Sequence, residues 1–368
     1  MSSTQTSAPA LKEIFNRDRL RHIAEETAAV YPAFAHTRFL ALATAGLDDL
    51  SVMQRMARVS ECLHATLPAD FATALGVLKD LAPRLNSGFV SMCLPHYVAL
   101  YGREHFELSM EALKYFTCFG SSEFAIRHFL LQDFERSLAL MNDWAFSDNE
   151  HVRRLASEGS RPRLPWSFRL PHMQAEPWRA WPILQALNDD PSLYVRKSVA
   201  NHLNDISKDH ADTLLDQLET WPLHQPRTAW IVRHALRTLI KAGDRRALAL
   251  LGAGEPAQVT MTALGVTPHT VPLGHSMTLA FTLTSTSAHA QRLVVDYAID
   301  YVKASGKTAS KVFKLKTFDL PAGASVVLSR AQQMRELTTR KHYFGHHAVH
   351  VLVNGERLGS TGFDLVPA

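Results

Sequence analysis

Between Leu11 and about residue 250 the apolar residues recur every three or four positions, as in Leu20, Ile23, Ala24 and Ala28. That is the period of an amphipathic helix, so the spacing predicts a succession of short helices. Pro32, Pro68, Pro83, Pro95, Pro165, Pro191 and Pro222 stand where such helices should begin or end. The period then changes. After Gly252-Ala253-Gly254-Glu255-Pro256 the apolar residues alternate or gather in short runs. These include Met261, Leu279-Ala280-Phe281-Thr282-Leu283, Leu293-Val294-Val295, Val312-Phe313-Lys314-Leu315 and Val349-His350-Val351-Leu352-Val353. About seven such runs, separated by Gly, Pro, Asn and Ser, predict a small β-sandwich. It contains no cysteine, so it is immunoglobulin-like in architecture without an inter-sheet disulfide.

The helical part repeats. An Ile/Val-Arg-basic triplet occurs as Ile126-Arg127-His128, Val152-Arg153-Arg154, Val195-Arg196-Lys197 and Val232-Arg233-His234. The last three are spaced by 43 and 37 residues, close to the ~40–47 of HEAT-like helical pairs. The first gap, 26, is too short to count as a repeat. Two copies follow acidic turns, Asp148-Asn149-Glu150 and Asp189-Asp190-Pro191, which suit a helix N-terminus. The arginines have two open readings. They bond acidic neighbours within the scaffold, or they line one concave face and follow a phosphate backbone. The expected fold is multi-domain: an all-α HEAT-like α-solenoid, then an all-β immunoglobulin-like sandwich. The expected boundaries are a disordered N-terminus 1–10, a helical domain 11–251, a linker 252–258 and the sandwich 259–368.

Of the 368 residues, 46% are hydrophobic and 20% charged, which excludes wholesale disorder. No apolar run reaches the ~18 residues of a membrane span. Met1 to Ala10 lacks the basic and apolar regions of a secretory signal. Cys62, Cys93 and Cys118 are odd in number and widely spaced, as expected of reduced thiols in the cytoplasm. There is no CxxC or HExxH pair, so neither a metal nor another cofactor is expected. Charge is unevenly placed. Residues 258–368 hold eleven basic and six acidic side chains, a net +5, and the remainder of the chain is −1. A basic module suggests a polyanionic partner, although a solvated surface has the same composition.

Candidate chemistry lies between residues 119 and 208. All six tryptophans fall between Trp144 and Trp230. Most read as core. Trp166 lies in Arg161-Pro162-Arg163-Leu164-Pro165-Trp166, where two prolines disfavour helix and two arginines flank the ring. Such a ring can face a sugar or a base. Glu123 has Arg127 four residues on, and Glu158 has Arg154 four residues before it. Each carboxylate can pair with that arginine. The two are also 35 residues apart, near one repeat length, so both can project into one groove and stabilise a cation there.

The run Glu150-His151-Val152-Arg153-Arg154-Leu155-Ala156-Ser157-Glu158-Gly159-Ser160-Arg161 to Trp166 resembles the signature of the AlkC-type alkylbase DNA glycosylases. Ser122-Glu123-Phe124-Ala125-Ile126-Arg127 and the stretch Asp190 to Lys208 resemble the same family, a branch of the HEAT-like superfamily that also contains AlkD. The resemblance runs through the helical region and into the β-domain. It implies a monofunctional enzyme of base excision repair. Such an enzyme hydrolyses the N-glycosidic bond of N3-alkylated bases, 3-methyladenine and 3-methylcytosine, in double-stranded DNA, without flipping the base. It implies Glu123 and Glu158 as catalytic carboxylates, Trp166 as the aromatic facing sugar or lesion, and Asp205 as a third acid, for which a helix-capping role is the alternative. Arg154, Arg161, Arg163, Arg196 and Lys197 are expected on backbone phosphates. Lys303, Lys307, Lys311, Lys314, Lys316, Arg340 and Lys341 are expected to grip DNA from the β-domain, with Lys314 and Lys316 on one sheet face. The expected partner is lesion-bearing DNA, bound by a monomer. A non-catalytic HEAT scaffold and a structure-specific DNA-binding protein are the competing readings.

Overall fold

The helix Arg17–Val30 buries Leu20, Ile23, Ala24 and Thr27, the i, i+3, i+4 and i+7 positions of one face. Thr27 takes the place expected for Ala28, and its hydroxyl donates to the Ile23 carbonyl at 2.6 Å. Short polar side chains start the helices. Asn16, Asp70, Asp133 and Asn149 each accept from a backbone N–H of the first turn. In the turn Asp148-Asn149-Glu150 it is therefore the asparagine that caps. The computed structural model describes residues 11–336 and 341–368. The N-terminus 1–10 and Arg340 lie outside the described residues.

The chain divides into two compact units between Asp209 and His210. In the first, every regular element among the described residues is a helix. The second joins the helices Ala211–Leu218, Pro226–Ala235, Arg237–Ala242 and Arg245–Ala249 to eight strands.

Each triplet lies on a helix: Ile126–Gln132, Glu150–Gly159, Leu193–Ile206 and Pro226–Ala235. The leading Ile126, Val152, Val195 and Val232 are buried. Arg153 donates to the carbonyls of Ser147 and Asp148, and Arg196 to those of Asp190 and Pro191. Each arginine thus ties down the turn that precedes its own helix. Arg153 also pairs with Asp190 at 2.7 Å, linking one repeat to the next.

Arg127 is fully buried. It donates to the carbonyls of Gly159 at 3.1 Å, Arg161 at 2.6 Å and Phe168. The spacing pairs it with Glu123, but no such ion pair forms. Its helix begins only at Ile126, so Glu123 is outside the helical register that an i,i+4 pair needs. Burial, then the Arg161 charge, pushes the Arg127 pKa down to about 10, still protonated at neutral pH. Gly159 lets the two helices approach: a Cβ there would lie 2.5 Å from Cγ2 of Ile126.

The strands are β1 (Val259–Thr267), β2 (Thr270–Pro272), β3 (Ser276–Ser285), β4 (Gln291–Val302), β5 (Thr308–Leu320), β6 (Ser325–Gln333), β7 (Gly345–Val353) and β8 (Glu356–Val366). They form two sheets, ordered β1-β3-β6 and β2-β8-β7-β4-β5. Leu279, Phe281, Val295, Tyr297, Val351 and Phe363 are among the core between them. One expectation fails here. A bulge sets Lys314 opposite Asp296 and Lys316 opposite Val295. Paired residues share a face, and Val295 belongs to the core while Asp296 does not. Lys314 and Lys316 therefore leave opposite faces of the sheet.

Two outcomes follow from these buried groups. Arg127→Met removes the donor to three carbonyls and should destabilise the chain by roughly 3 kcal/mol or more in denaturant unfolding. A loss under about 1 kcal/mol would show that water replaces the guanidinium. His202 is fully buried, its Nδ1 is 2.9 Å from the Ser157 carbonyl, and burial above all pushes its pKa down to about 4. The unfolded ring titrates near pH 6.5. Stability from keeping it neutral is complete above that pH and lost as pH falls from about 6.5 toward 4, by up to ~1.4 kcal/mol per unit. His202→Asn should flatten that acid slope in unfolding measured between pH 7 and pH 5.

Candidate active site

Three carboxylates, each at an end of a triplet-bearing helix, meet in one line. Glu123 sits in the turn before Ile126–Gln132, Glu158 is the last residue but one of Glu150–Gly159, and Asp205 is the last but one of Leu193–Ile206. Two arginines stand between them. Arg154 pairs with Glu123 and reaches Glu158 at 3.6 Å. Arg161 holds Glu158 at 2.6 Å and Asp205 at 2.9 Å. Lys208 closes the far end, 3.0 Å from Asp205. The order is Glu123, Arg154, Glu158, Arg161, Asp205, Lys208, alternating in sign throughout. Side-chain exposure falls along the carboxylates, from 13% at Glu123 to 7% at Glu158 and 3% at Asp205.

Burial alone would lower the pKa of Arg154 and of Arg161. Glu123 and Glu158 beside the first, and Glu158 and Asp205 beside the second, reverse the direction and raise both. The guanidinium groups stay charged, and each carboxylate has a fixed cationic neighbour. The pairing of Glu158 with Arg154 is the one that its helical spacing suggests. Glu123 finds Arg154 across the repeat instead, and also accepts from the Ser121 hydroxyl at 2.7 Å.

Trp166 lies on the loop that leaves Glu150–Gly159, five residues after Arg161. The residue is 64% exposed and its backbone has φ +65°, a left-handed conformation uncommon for a bulky side chain. The loop is held by Leu170 N–H to the Pro162 carbonyl, Ser167 N–H to the Leu164 carbonyl, and the Arg127 bonds already described. The ring packs edge-on against Phe89, centroids 6.4 Å apart. Phe89, Gly120, Glu123, His151, Arg154 and Tyr194 line an open cleft of about 290 Å³. Gly120 is required there, since a Cβ would fall 2.4 Å from the Gly88 carbonyl. Sequence reasoning missed Tyr194. It is exposed, and the Arg154 guanidinium lies 4.8 Å from its ring centroid. Its place just before Val195 in the third triplet is the signal that could have found it.

The basic residues divide into two groups. Arg154 and Arg161 are held by carboxylates, Arg163 forms a two-point pair with Asp209 at 2.7 and 2.9 Å, and Arg196 braces a turn. Lys197, Lys303, Lys307, Lys311, Lys314, Lys316 and Lys341 are exposed, with Lys311 over Phe313 and Lys316 over Phe318. The four arginines expected on phosphates thus have protein partners. Among the described residues, no group of three His, Cys, Asp or Glu side chains is arranged to hold a metal ion.

Comparison with known proteins agrees with this architecture. Residues 107–239 match the model of the DNA alkylation repair enzymes, and residues 260–367 match that of the YhaZ C-terminal Ig-like domain. An uncharacterized protein YhaZ of Bacillus subtilis (strain 168) is 42% identical over 356 residues, covering 96% of this chain and 99% of its own. A solved structure of the Pseudomonas fluorescens alkylpurine DNA glycosylase AlkC, bound to DNA containing an abasic site analog, is 64% identical. It superposes with a TM-score of 0.95 over 97% of this chain and 100% of that one. The chain belongs to the AlkC family of DNA alkylation repair enzymes, in the form that carries a C-terminal immunoglobulin-like domain.

Proposed function

We propose that the chain is a monofunctional DNA glycosylase that releases cationic N3-alkylated bases, 3-methyladenine and 3-methylcytosine, from duplex DNA. The observation that carries the reading is the line of Glu123, Glu158 and Asp205, held by the half-buried Arg154 and the buried Arg161, with the exposed Trp166 on the loop that carries Arg161. An alkylated base already bears positive charge, so it needs no proton to depart. The C1′–N bond breaks with its electron pair going to the base, which leaves neutral, and the sugar takes on oxocarbenium character. Water then adds to C1′ and gives its proton to a carboxylate.

Glu123 lines the cleft and is the most exposed of the three acids, which favours it for contact with sugar or water. Glu158 shares Arg154 with it and supplies the second negative charge. Asp205 is nearly inaccessible and acts as a positioning residue that orients Arg161. Trp166 offers an aromatic face to a cationic base or sugar. The open cleft allows approach from the sugar side to a base that stays stacked. Arg154 and Arg161, engaged by carboxylates, are assigned to the active site and not to phosphates. The phosphate contacts fall to exposed lysines, with Lys197 in the helical part and Lys303, Lys307, Lys316 and Lys341 in the β-domain. The chain works in the cytoplasm as a monomer. Cys62, Cys93 and Cys118 are all free thiols, and no helix among the described residues is long and apolar enough to cross a membrane.

The test is release of 3-methyladenine and 3-methylcytosine from methylated duplex DNA under single turnover. Glu123→Gln and Glu158→Gln should each slow release by roughly 100-fold or more, with DNA affinity changed only a few-fold. Trp166→Ala should cost about tenfold, the worth of a partly desolvated cation–π contact. No release by a well-folded wild type that binds DNA would leave a DNA-binding solenoid with structural carboxylates.

A further inference from the structure

The last triplet departs from the two before it. Arg153 and Arg196 are each the fourth residue of their helices, and each bonds the carbonyls five and six positions back. Arg233 is the eighth residue of Pro226–Ala235. The carbonyls of Thr228 and Arg227, five and six positions before it, lie inside that helix and are taken by its own N–H groups. Arg233 cannot brace a turn, and its side chain is exposed.

It lines a cleft of about 260 Å³ between its helix and the outer face of β4 and β5, and a smaller recess of about 60 Å³ shares Arg233, Leu251 and Thr317 with that cleft. Lys241 and Lys314 line the recess with it, and both are exposed. The bulge that separates Lys314 from Lys316 is what turns Lys314 to this side. Among the described residues, no carboxylate oxygen lies within 4.0 Å of Arg233, Lys241 or Lys314. The recess holds one acid, Asp296, which is buried. Burial pushes its pKa up to about 6 against the pull of Lys314 and Lys241. Burial and then the Arg233 charge push that of Lys314 down. Several cations facing one recessed carboxylate repel one another, and a recess in which positive charge outnumbers negative concentrates anions.

We propose that the recess lined by Arg233, Lys241 and Lys314, together with the cleft beside it, is a phosphate-binding site that takes a backbone phosphodiester of duplex DNA. The guanidinium offers two parallel donors to a phosphate and the two ammonium groups add point charges. Such a contact positions the duplex and reads no sequence. The assignment rests on the DNA glycosylase reading above.

Lesion-free duplex is titrated into the full chain at several salt concentrations, wild type beside the Arg233→Gln/Lys241→Gln double variant. The slope of log K against log salt should become shallower by about 0.9 to 1.8 in the variant. Arg233→Lys/Lys241→Arg should restore it. Asp296→Asn removes the internal anion and should tighten binding; equal or weaker binding counts against the site. An unchanged slope in a double variant that melts like the wild type overturns the proposal. Inorganic phosphate is the second probe. If it raises the melting temperature of the wild type and not of the variant, while the DNA slopes coincide, the site serves free phosphate and the DNA assignment fails. A wild type that releases no alkylated base counts against the glycosylase reading. One that releases base, with slopes shared by the variant, counts against the cleft alone.

Discussion

Arg154 and Arg161 hold three carboxylates from the ends of three helices at one place, and most of what surrounds them serves that arrangement. Each ion taken out of water costs several kcal/mol, which its neighbours recover only when the geometry is good and the sequence of charges is complete. Removing Arg154 leaves Glu123 without its cationic partner, and removing Arg161 leaves Glu158 only the 3.6 Å contact with Arg154 and Asp205 only Lys208. The line is therefore a cooperative unit. Its supports are also specific. Arg127 fixes the loop that carries Arg161 and Trp166, Arg153 and Arg196 fix the turns ahead of two of the helices, and Gly159 lets the helices of Glu158 and Ile126 close to contact.

That rigidity suits the proposed chemistry. A carboxylate that is ionised and oriented before the reaction stabilises charge developing on the sugar without the reorganisation that water would need. The same fixed cations stand between the three acids and offset the repulsion among their charges. Trp166 at φ +65° and 64% exposure is the local anomaly. An uncommon backbone and an exposed indole together cost stability, and the Arg127 bonds on either side of it are what hold the loop in that shape.

Much of this was legible in the chain. The shift from a period of three or four to alternation separated helices from strands, and the run around Glu158 and Trp166 pointed to the acids and to an exposed ring. The pairings were harder. Helical spacing placed Glu123 with Arg127, but Glu123 precedes its helix, and a tertiary partner, Arg154, took the carboxylate. Alternation placed Lys314 and Lys316 on one face, and a single bulge separated them, marked only by the three-residue step from Leu315 to Phe318 among the core-facing residues of β5. The arginines of the triplets read alike, yet their place along the helix decides whether each braces a turn or faces solvent. Burial and local register depend on neighbours distant in sequence, and those are what a one-dimensional pattern omits.

In the proposed mechanism, fixed carboxylates act on a base whose own charge makes it ready to leave. The most direct test of that mechanism is single-turnover release of 3-methyladenine beside hypoxanthine, each at the same position of the same duplex. 3-Methyladenine is cationic in DNA, whereas hypoxanthine is neutral and needs a proton from the enzyme to depart. Release of the first without measurable release of the second is expected. Comparable rates for both would contradict the mechanism, because they would require a general acid that the line of Glu123, Glu158 and Asp205 is not arranged to provide.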